Sequence, residues 1–303
     1  MRDLRDPAGL TMLALMQDCA HEEHGAEERS GGRVEWLKGQ FAEYQFVADF
    51  VQALRKPYVE GLENLSPDGR FLLVANHVLS GSDVPLIMHE VSRHVGKPVR
   101  PLAHWAFGQF KGFFGDMFQA MGAVVGSPEN ADKLMAANEP VLVFPGGARE
   151  IARGKDQLHQ LDWGERKGFA RVAVKHKYPI IPTTVVGADY EYRVLTTRDG
   201  AWSRAVRAVN KALGGGEAVE VPPLMRGVAG TSIRYPQRLY LRFSPPIETA
   251  KPARTSVDAW VDSVREATKA AIESSFAELL ALRGRDPFRN LAPWARQRAA
   301  MPA

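Results

Sequence analysis

The chain has very little cysteine and no long apolar run. Cys19 is its single cysteine, which excludes an internal disulfide and fits a reducing compartment. No apolar stretch approaches the roughly 20 residues that a membrane-spanning helix needs. Residues 1–7 are rich in charge and are not typical of a secretory signal. These observations predict a cytoplasmic protein that does not cross a membrane.

Several functional classes also lack their usual signatures. The formal net charge of +4 and the pI near 9.2 fit an anionic membrane surface or a phosphorylated ligand. No dense basic run alternates with aromatic residues, so nucleic acid is not an expected partner. No Gly-x-Ser-x-Gly elbow surrounds Ser80 or Ser82, which disfavours a serine hydrolase. The ligand-type residues in segment 21–24 have no further ligands at metal-site spacing, so no metal site is expected.

A histidine and an aspartate follow the first strongly apolar run. Residues 71–75 predict a buried strand, and His77 comes just after it. Asp83 precedes an apolar segment with proline in its first turn, which indicates a helix start. Gly81 allows a turn between them, so Asp83 can orient the imidazole of His77. Such an imidazole is suited to remove a proton from a hydroxyl group as it attacks.

A second motif follows another apolar run. Residues 140–144 predict a buried strand, and Pro145-Gly146-Gly147 then turns the chain. The backbone N–H groups of such a turn can bind a phosphate or an oxyanion. Arg149 adds a bidentate cation for a phosphate or a carboxylate. A lone histidine or a lone turn is usually structural, but two such motifs in this context favour a ligand site.

With these motifs the chain resembles the glycerolipid (lysophospholipid) acyltransferase-like superfamily, over roughly residues 57–250. The matches, in order, are Asn76, His77 and Asp83; residues 122–131; Phe144, Pro145, Gly147 and Arg149; and residues 180–187. The resemblance implies catalysis by His77 and Asp83. It implies substrate contacts from Asn76, Phe144, Pro145, Gly146, Gly147, Arg149 and Glu150.

Three departures indicate one branch of this superfamily. Five residues, instead of four, separate His77 from Asp83. Gly146 stands where the common members have glutamate, and Glu150 follows Arg149. The matched segment 122–131 lacks the arginine that the common members use near the acceptor phosphate. The form is more similar to the monoacylglycerol, diacylglycerol and phytyl-ester acyltransferase-like branch, which makes a neutral alcohol a more plausible acceptor than lysophosphatidate. Arg149 is then expected to face a donor phosphate or to form a structural ion pair.

The resemblance also implies a mechanism. His77 deprotonates the acceptor hydroxyl, which attacks the thioester of acyl-CoA or acyl carrier protein directly. The N–H groups of Gly146 and Gly147 stabilise the oxyanion or seat the donor. No bound cofactor is expected. The expected partners are the acyl donor, a lipid acceptor and the inner face of a membrane, bound peripherally. The alternatives are a 1-acylglycerol-3-phosphate or other lysophospholipid acyltransferase, and a non-catalytic lipid-binding protein on the same scaffold.

Strands and helices alternate from residue 57 to about 190, which predicts an α/β fold with a mostly parallel central sheet flanked by helices. We divide the chain into an N-terminal helical segment and linker (1–56), a catalytic domain (57–283) and a basic tail (284–303). A long helix is expected over about residues 256–282, with a capping box at Thr255 and Asp258.

Four segments allow two interpretations each. Helix 34–54 either packs on the core, which we favour, or faces a membrane. The aromatic-rich stretch 105–121 is either a core helix or a functional one, which forms the wall of an acyl-chain tunnel or lies at a membrane interface. Lys167 and Arg171 either meet donor phosphates or are surface charges. The basic tail either touches anionic lipid or is loose. Residues 189–237 have a single interpretation, an insertion that covers the acceptor site.

Overall fold

A seven-stranded sheet lies at the centre of the chain in a computed structural model, which describes residues 32, 34–36, 45–103, 120, 122–213 and 220–302. Its strands are β1 (Tyr58–Glu60), β2 (Leu72–Ala75), β3 (Arg100–Ala103), β4 (Val124–Val125), β5 (Val141–Val143), β6 (Ile180–Val186) and β9 (Tyr240–Phe243). Two further strands, β7 (Arg193–Val194) and β8 (Met225–Arg226), form a separate ribbon. The helices are α1 (Gln45–Arg55), α2 (Asp83–Val95), α3 (Pro128–Ala136), α4 (Ala148–Ile151), α5 (Gly168–His176), α6 (Ala201–Ala212) and α7 (Val257–Arg285).

The strand order is β1-β9-β6-β2-β5-β3-β4. Strand β2 pairs in parallel with β5 and β6, and β3 pairs in parallel with β5 and β4. Strand β9 is antiparallel to β6 but parallel to β1, so these two strands run against the other five. The predicted α/β class with a mostly parallel sheet is therefore confirmed.

Both faces of the sheet are covered, which explains the continuous apolar runs in its strands. Alternate residues of β2 point to opposite faces, with Leu72 and Val74 in one apolar cluster and Leu73 and Ala75 in the other. The first cluster includes buried residues of α5 and α7, and the second includes buried residues of α2. Strand β2 is thus at the middle of the core, and its end carries the Asn-His pair.

The long C-terminal helix is confirmed, with one correction at its start. It covers Val257–Arg285, and its N-cap is Ser256, whose hydroxyl accepts a hydrogen bond from the N–H of Ala259. The predicted capping box at Thr255 is therefore wrong by one residue. Helix α7 buries an apolar stripe against the sheet, comprising Val261, Val264, Ile272, Phe276 and Leu279, whereas Val257 in its first turn is exposed.

The apolar side chains that the structure describes in the last turns of helix α1 are not buried, contrary to the prediction of core packing. Phe50 and Leu54 are 56% and 51% exposed, and Val51 is also exposed. The core-packed interpretation is wrong for these turns. The predictions for segment 21–24 and for nearly all of stretch 105–121 lie outside the described residues. Within the described residues, no helix combines the length and apolarity that crossing a bilayer requires.

Residues 188–237 leave the sheet after β6 and return at β9, and we call this segment the arm. It contains helix α6, and its strands β7 and β8 pair with each other. Its two ends meet tightly, since a Cβ on Gly187 would lie 2.3 Å from the carbonyl oxygen of Arg238. The arm is therefore an excursion between two neighbouring strands.

Candidate functional site

The predicted His-Asp pair is formed. The loop that carries it, residues 77–83, is called here the histidine loop. The Nδ1 atom of His77 lies 2.7 Å from Oδ2 of Asp83, which is fully buried at the start of α2. The same carboxylate oxygen accepts a hydrogen bond of 3.2 Å from the N–H of Val78. A carboxylate oxygen at this distance from Nδ1 can orient the ring so that Nε2 faces away from Asp83.

The ring of His77 is also held from the second motif. It stacks on Phe144, with ring centroids 4.3 Å apart and an interplanar angle of 25°. Phe144 directly follows β5, which is paired in parallel with β2 through Val74 and Val143. The two motifs therefore meet because their strands are neighbours that end at the same edge of the sheet.

Glu150 binds the backbone of the histidine, a role that the sequence did not reveal. Its Oε2 accepts a hydrogen bond of 2.7 Å from the N–H of His77, and its Oε1 accepts one of 3.2 Å from Asp162. Arg153 completes the arrangement by donating to the carbonyl oxygen of His77 at 2.5 Å and to that of Glu150 at 2.8 Å. Burial raises the pKa of the Glu150 carboxyl above its ordinary value, although Arg153 and these N–H groups oppose the shift.

The side chain of Glu150 occupies the space next to Gly146. A Cβ on Gly146 would lie 2.1 Å from both Cγ and Cδ of Glu150. Glycine at this position and glutamate four residues later are therefore linked sterically. The sequence contained this signal in two residues. Gly146 stands where the common members of the superfamily have glutamate, and Glu150 follows Arg149.

We expect Gly146→Ala to push Glu150 off the N–H groups of His77 and Asp162 and to destabilise the fold by about 1–3 kcal/mol. The measurement is urea unfolding of Gly146→Ala, Glu150→Ala and the double variant. Because Glu150→Ala removes the clash, the double variant should be more stable than the sum of the single effects. Strictly additive effects would contradict the steric link.

Two predicted substrate-binding residues have their polar groups occupied by backbone. The amide of fully buried Asn76 donates to the carbonyl oxygen of Val185 at 3.0 Å and accepts from the N–H of Val185 at 2.8 Å. It therefore ties the end of β2 to β6. The N–H of Gly147 donates to the carbonyl oxygen of Phe144 at 3.0 Å, within a turn in which Gly147 has a φ of 49°. This N–H is used by the turn itself.

The cations near the turn have partners within the protein. Arg149 lies 3.6 Å from Glu220 and 4.0 Å from Asp162, so it takes the structural ion pair among its two predicted roles. Arg166 donates to the carbonyl oxygens of Pro145 and Gly146, at 2.8 Å each. The sequence gave no signal for Arg166, because its partners are backbone atoms some twenty positions away.

Lys167 at the N-cap of α5 and Arg171 within α5, the two residues that could meet donor phosphates, also have partners in the protein. Lys167 lies 2.7 Å from Asp262, and Arg171 lies 3.3 Å from Asp258. Both partners are on α7. These side chains connect two helices, which matches the surface-charge interpretation better than the donor-phosphate one.

A large apolar cavity opens beside His77. Its volume is about 680 Å³, within the range of about 300–1,000 Å³ that ligand pockets have. Its apolar walls come from several elements and include Leu72, Met88, Ala131, Met135, Val143, Phe144, Phe169 and Val172. Among the described residues that line it, the charged ones are Arg166 and Glu220. The size and the apolar lining of the cavity suit a hydrocarbon ligand beside the imidazole.

The described residues contain no group of three or more histidine, cysteine, aspartate or glutamate side chains that is arranged to hold a metal ion. The histidine has instead one carboxylate partner, a stacked ring and an apolar cavity. A base oriented in this way beside a lipid-sized cavity, at the edge of an α/β sheet, defines a site of the acyltransferase type.

Comparison with known proteins agrees with this class. Residues 56–186 match the family model described as Acyltransferase. That match contains both motifs and the strands β1 to β6.

Curated relatives and one solved structure are similar to the chain. It is 28% identical to phytyl ester synthase 1, chloroplastic, of Arabidopsis thaliana, over 77% of this chain and 35% of that protein. It is 32% identical to the human DGAT1/2-independent enzyme synthesizing storage lipids, over 41% of this chain and 38% of that protein. The chain thus spans about a third of the length of these relatives. The crystal structure of the 1-acyl-sn-glycerophosphate (LPA) acyltransferase PlsC from Thermotoga maritima matches with a TM-score of 0.45 and 18% identity, over 80% of this chain and 87% of that one.

Proposed function

We propose that this protein is an O-acyltransferase that moves a long-chain acyl group from a thioester to the hydroxyl of a neutral lipid alcohol. The observation that carries the proposal is the position of the Asp83-bound imidazole of His77 at an apolar cavity of about 680 Å³. The acyl chain of the donor occupies the cavity, and its thioester carbonyl lies next to His77. The donor is acyl-CoA or acyl carrier protein.

In the reaction, Nε2 of His77 takes the proton of the acceptor hydroxyl as its oxygen attacks the thioester carbonyl. Asp83 stabilises the imidazolium that forms. The tetrahedral intermediate then collapses, the carbon–sulfur bond breaks, and the imidazolium returns the proton to the departing thiolate. Since the turn uses the N–H of Gly147, the N–H of Gly146 is the glycine donor for the oxyanion.

The charges around the site favour a neutral acceptor. Within the described part of the chain, Arg149 and Arg166 are the cations nearest the Pro-Gly-Gly turn, and both are engaged by protein groups. An acceptor phosphate would have to compete with Glu220 and Asp162 for Arg149. The names of the curated relatives, a phytyl ester synthase and an enzyme of storage-lipid synthesis, agree with an alcohol that carries no phosphate.

The test is an acceptor panel with radiolabelled long-chain acyl-CoA and, separately, acyl carrier protein. The acceptors are monoacylglycerol, diacylglycerol, phytol and lysophosphatidate, each presented in vesicles. Ester formed on the uncharged alcohols supports the proposal. Ester formed mainly on lysophosphatidate would overturn the neutral-acceptor assignment, and binding of the donor without transfer to any acceptor would favour a lipid-binding protein. Co-sedimentation with anionic vesicles tests the proposed peripheral association with the inner face of the membrane.

The wall of the cavity provides a second test, through the length of the acyl chain. Ala131 on α3 is buried and lines the cavity, whereas Ala136 on the same helix is exposed. We expect Ala131→Leu to lower kcat/KM for the longest acyl chains relative to shorter ones by at least about tenfold, since each methylene in a pocket contributes about 1–3 kcal/mol. Ala136→Leu is the matched control and should leave the chain-length profile unchanged. Identical profiles for the two variants would contradict the location of the acyl chain.

A further inference from the structure

Besides the bonds that Asp83 accepts from His77 and Val78, the histidine loop contains two hydrogen bonds around Gly81. Gly81 has a φ of 68°, and its N–H donates to the carbonyl oxygen of Val78 at 3.1 Å. The N–H of Ser82 reaches the hydroxyl of Ser80 only at 3.4 Å. The part of the loop between Val78 and Asp83 therefore needs support from elsewhere if Asp83 is to stay on the imidazole.

The arm supplies that support through Arg234. Its Nη2 donates to the carbonyl oxygen of Ser80 at 3.0 Å, and its Nη1 donates to the hydroxyl of Ser82 at 2.5 Å. One guanidinium thus holds both serines on either side of Gly81. Arg234 is more than 150 positions from the loop in sequence, so no local pattern indicates the contact.

A buried carboxylate holds the other side of the same hydroxyl. Ser82 donates to Oε2 of Glu191 at 2.6 Å, and Glu191 is 1% exposed. Glu191 also lies 3.6 Å from Arg234 and 3.8 Å from Arg55 at the end of α1. The backbone carbonyl of Glu191 accepts from the N–H of Tyr235, so the two ends of the arm are joined at this point. The loop, the arm and α1 therefore converge on one carboxylate.

We infer that Ser82, Glu191 and Arg234 are positioning residues that hold the histidine loop in the geometry that the His77–Asp83 pair requires. The inference rests on the proposed function for its effect on turnover, but the effect on the loop is independent of any activity. Ser82 directly precedes Asp83, so its fixed hydroxyl determines where the chain enters α2. A displacement of about 1 Å in a reacting group can cost on the order of 100-fold in rate.

The first experiment measures amide hydrogen exchange in peptides that cover residues 77–83. Arg234→Ala should speed exchange of these amides by about tenfold or more, because hydrogen bonds to charged groups are the stronger kind. Arg226→Ala is the matched control, an exposed arginine on β8 of the same arm. Arg234→Lys should give an intermediate rate, because a single ammonium group replaces the guanidinium fork. Equal loop exchange in Arg234→Ala and Arg226→Ala would overturn the inference.

The second experiment measures kcat and KM on the acceptor found in the panel. Arg234→Ala should lower kcat by about 10–100-fold with KM little changed and with the melting temperature of the control. Ser82→Ala and Arg234→Ala should be non-additive in a double-mutant cycle, because they share one hydrogen bond. Faster loop exchange with an unchanged kcat would overturn the positioning role. If the wild-type protein transfers no acyl group, the exchange experiment alone decides whether the arm holds the loop.

Discussion

His77→Ala should lower kcat for acyl transfer by about 10²–10⁴-fold, the usual contribution of a positioned general base. The donor should still bind, because its acyl chain contacts the apolar cavity walls, which this substitution leaves almost intact. The measurement combines initial rates at saturating donor with a separate titration of donor binding. Reduced rate with retained binding is the expected pattern for a group that acts on the reacting hydroxyl.

The chain offers a matched control in a second His-Asp pair. His176 on α5 lies 2.8 Å from Asp132, a separation close to that in the His77–Asp83 pair. It is not among the residues that line the cavity. His176→Ala should therefore leave kcat within about twofold of wild type, as expected for a surface pair of small energetic value. Full activity in His77→Ala would mean that another group acts as the base.

Asp286→Ala should destabilise the fold by about 3–5 kcal/mol, the cost of breaking a buried ion pair. Both side chains of the Arg238–Asp286 pair are completely buried, and their atoms Nη1 and Oδ2 are 2.6 Å apart. The carboxylate also accepts from the hydroxyl of Tyr240 at 2.6 Å and from the N–H groups of Phe288 and Ala300. Removal of the carboxylate leaves a buried guanidinium and three further donors without their partner.

Thermal and denaturant unfolding measure this effect. The melting temperature of Asp286→Ala should fall by roughly 6 °C or more. Asp262→Ala, which removes the exposed partner of Lys167, should cost about 0–1 kcal/mol. The double variant Arg238→Met/Asp286→Leu should be less destabilised than Asp286→Ala, because no unpaired charge remains buried. A loss as small as that of Asp262→Ala would contradict the structural role of the pair.

The stabilisation by Asp286 should also depend on pH. Burial disfavours its ionised form, but hydrogen bonds from Tyr240 and Arg238 outweigh burial and hold the pKa of Asp286 below its ordinary value. A carboxyl with a lowered folded-state pKa stabilises the fold above its unfolded pKa and loses this effect as pH falls through the folded value. The stability difference between wild type and Asp286→Ala should therefore shrink below about pH 4.

Much of the site was predictable because its signals are local in sequence. His77 and Asp83 are six positions apart, and the apolar runs before His77 and Pro145 are strands buried on both faces. The turn glycine Gly81 between these two residues and the helix start at Asp83 were enough to predict the pair. The same reasoning predicted the long α7, although the cap was misplaced by one residue because Thr255 and Ser256 both have suitable hydroxyls.

The remaining features depend on contacts that no local pattern contains. Glu150 reaches the N–H of His77 across 73 positions, and Arg153 reaches its carbonyl oxygen across 76. The antiparallel pairing of β9 with β6 likewise joins two strands that are far apart in the sequence. Backbone partners are the hardest to predict, because every residue offers the same N–H and C=O groups. Only the steric dependence of Gly146 on Glu150 left a mark in the sequence.

The arm begins and ends at one point of the sheet, where Val186 pairs with Tyr240. A segment with adjacent ends can be lengthened, shortened or exchanged at little cost to the strands that carry it. The arm contributes Glu220 and Pro222 to the lining of the cavity, so exchange of this one segment changes the cavity wall while the strands stay in place. A transplanted arm must, however, bring its own counterpart of Arg234, because the same segment that lines the cavity also holds the histidine loop.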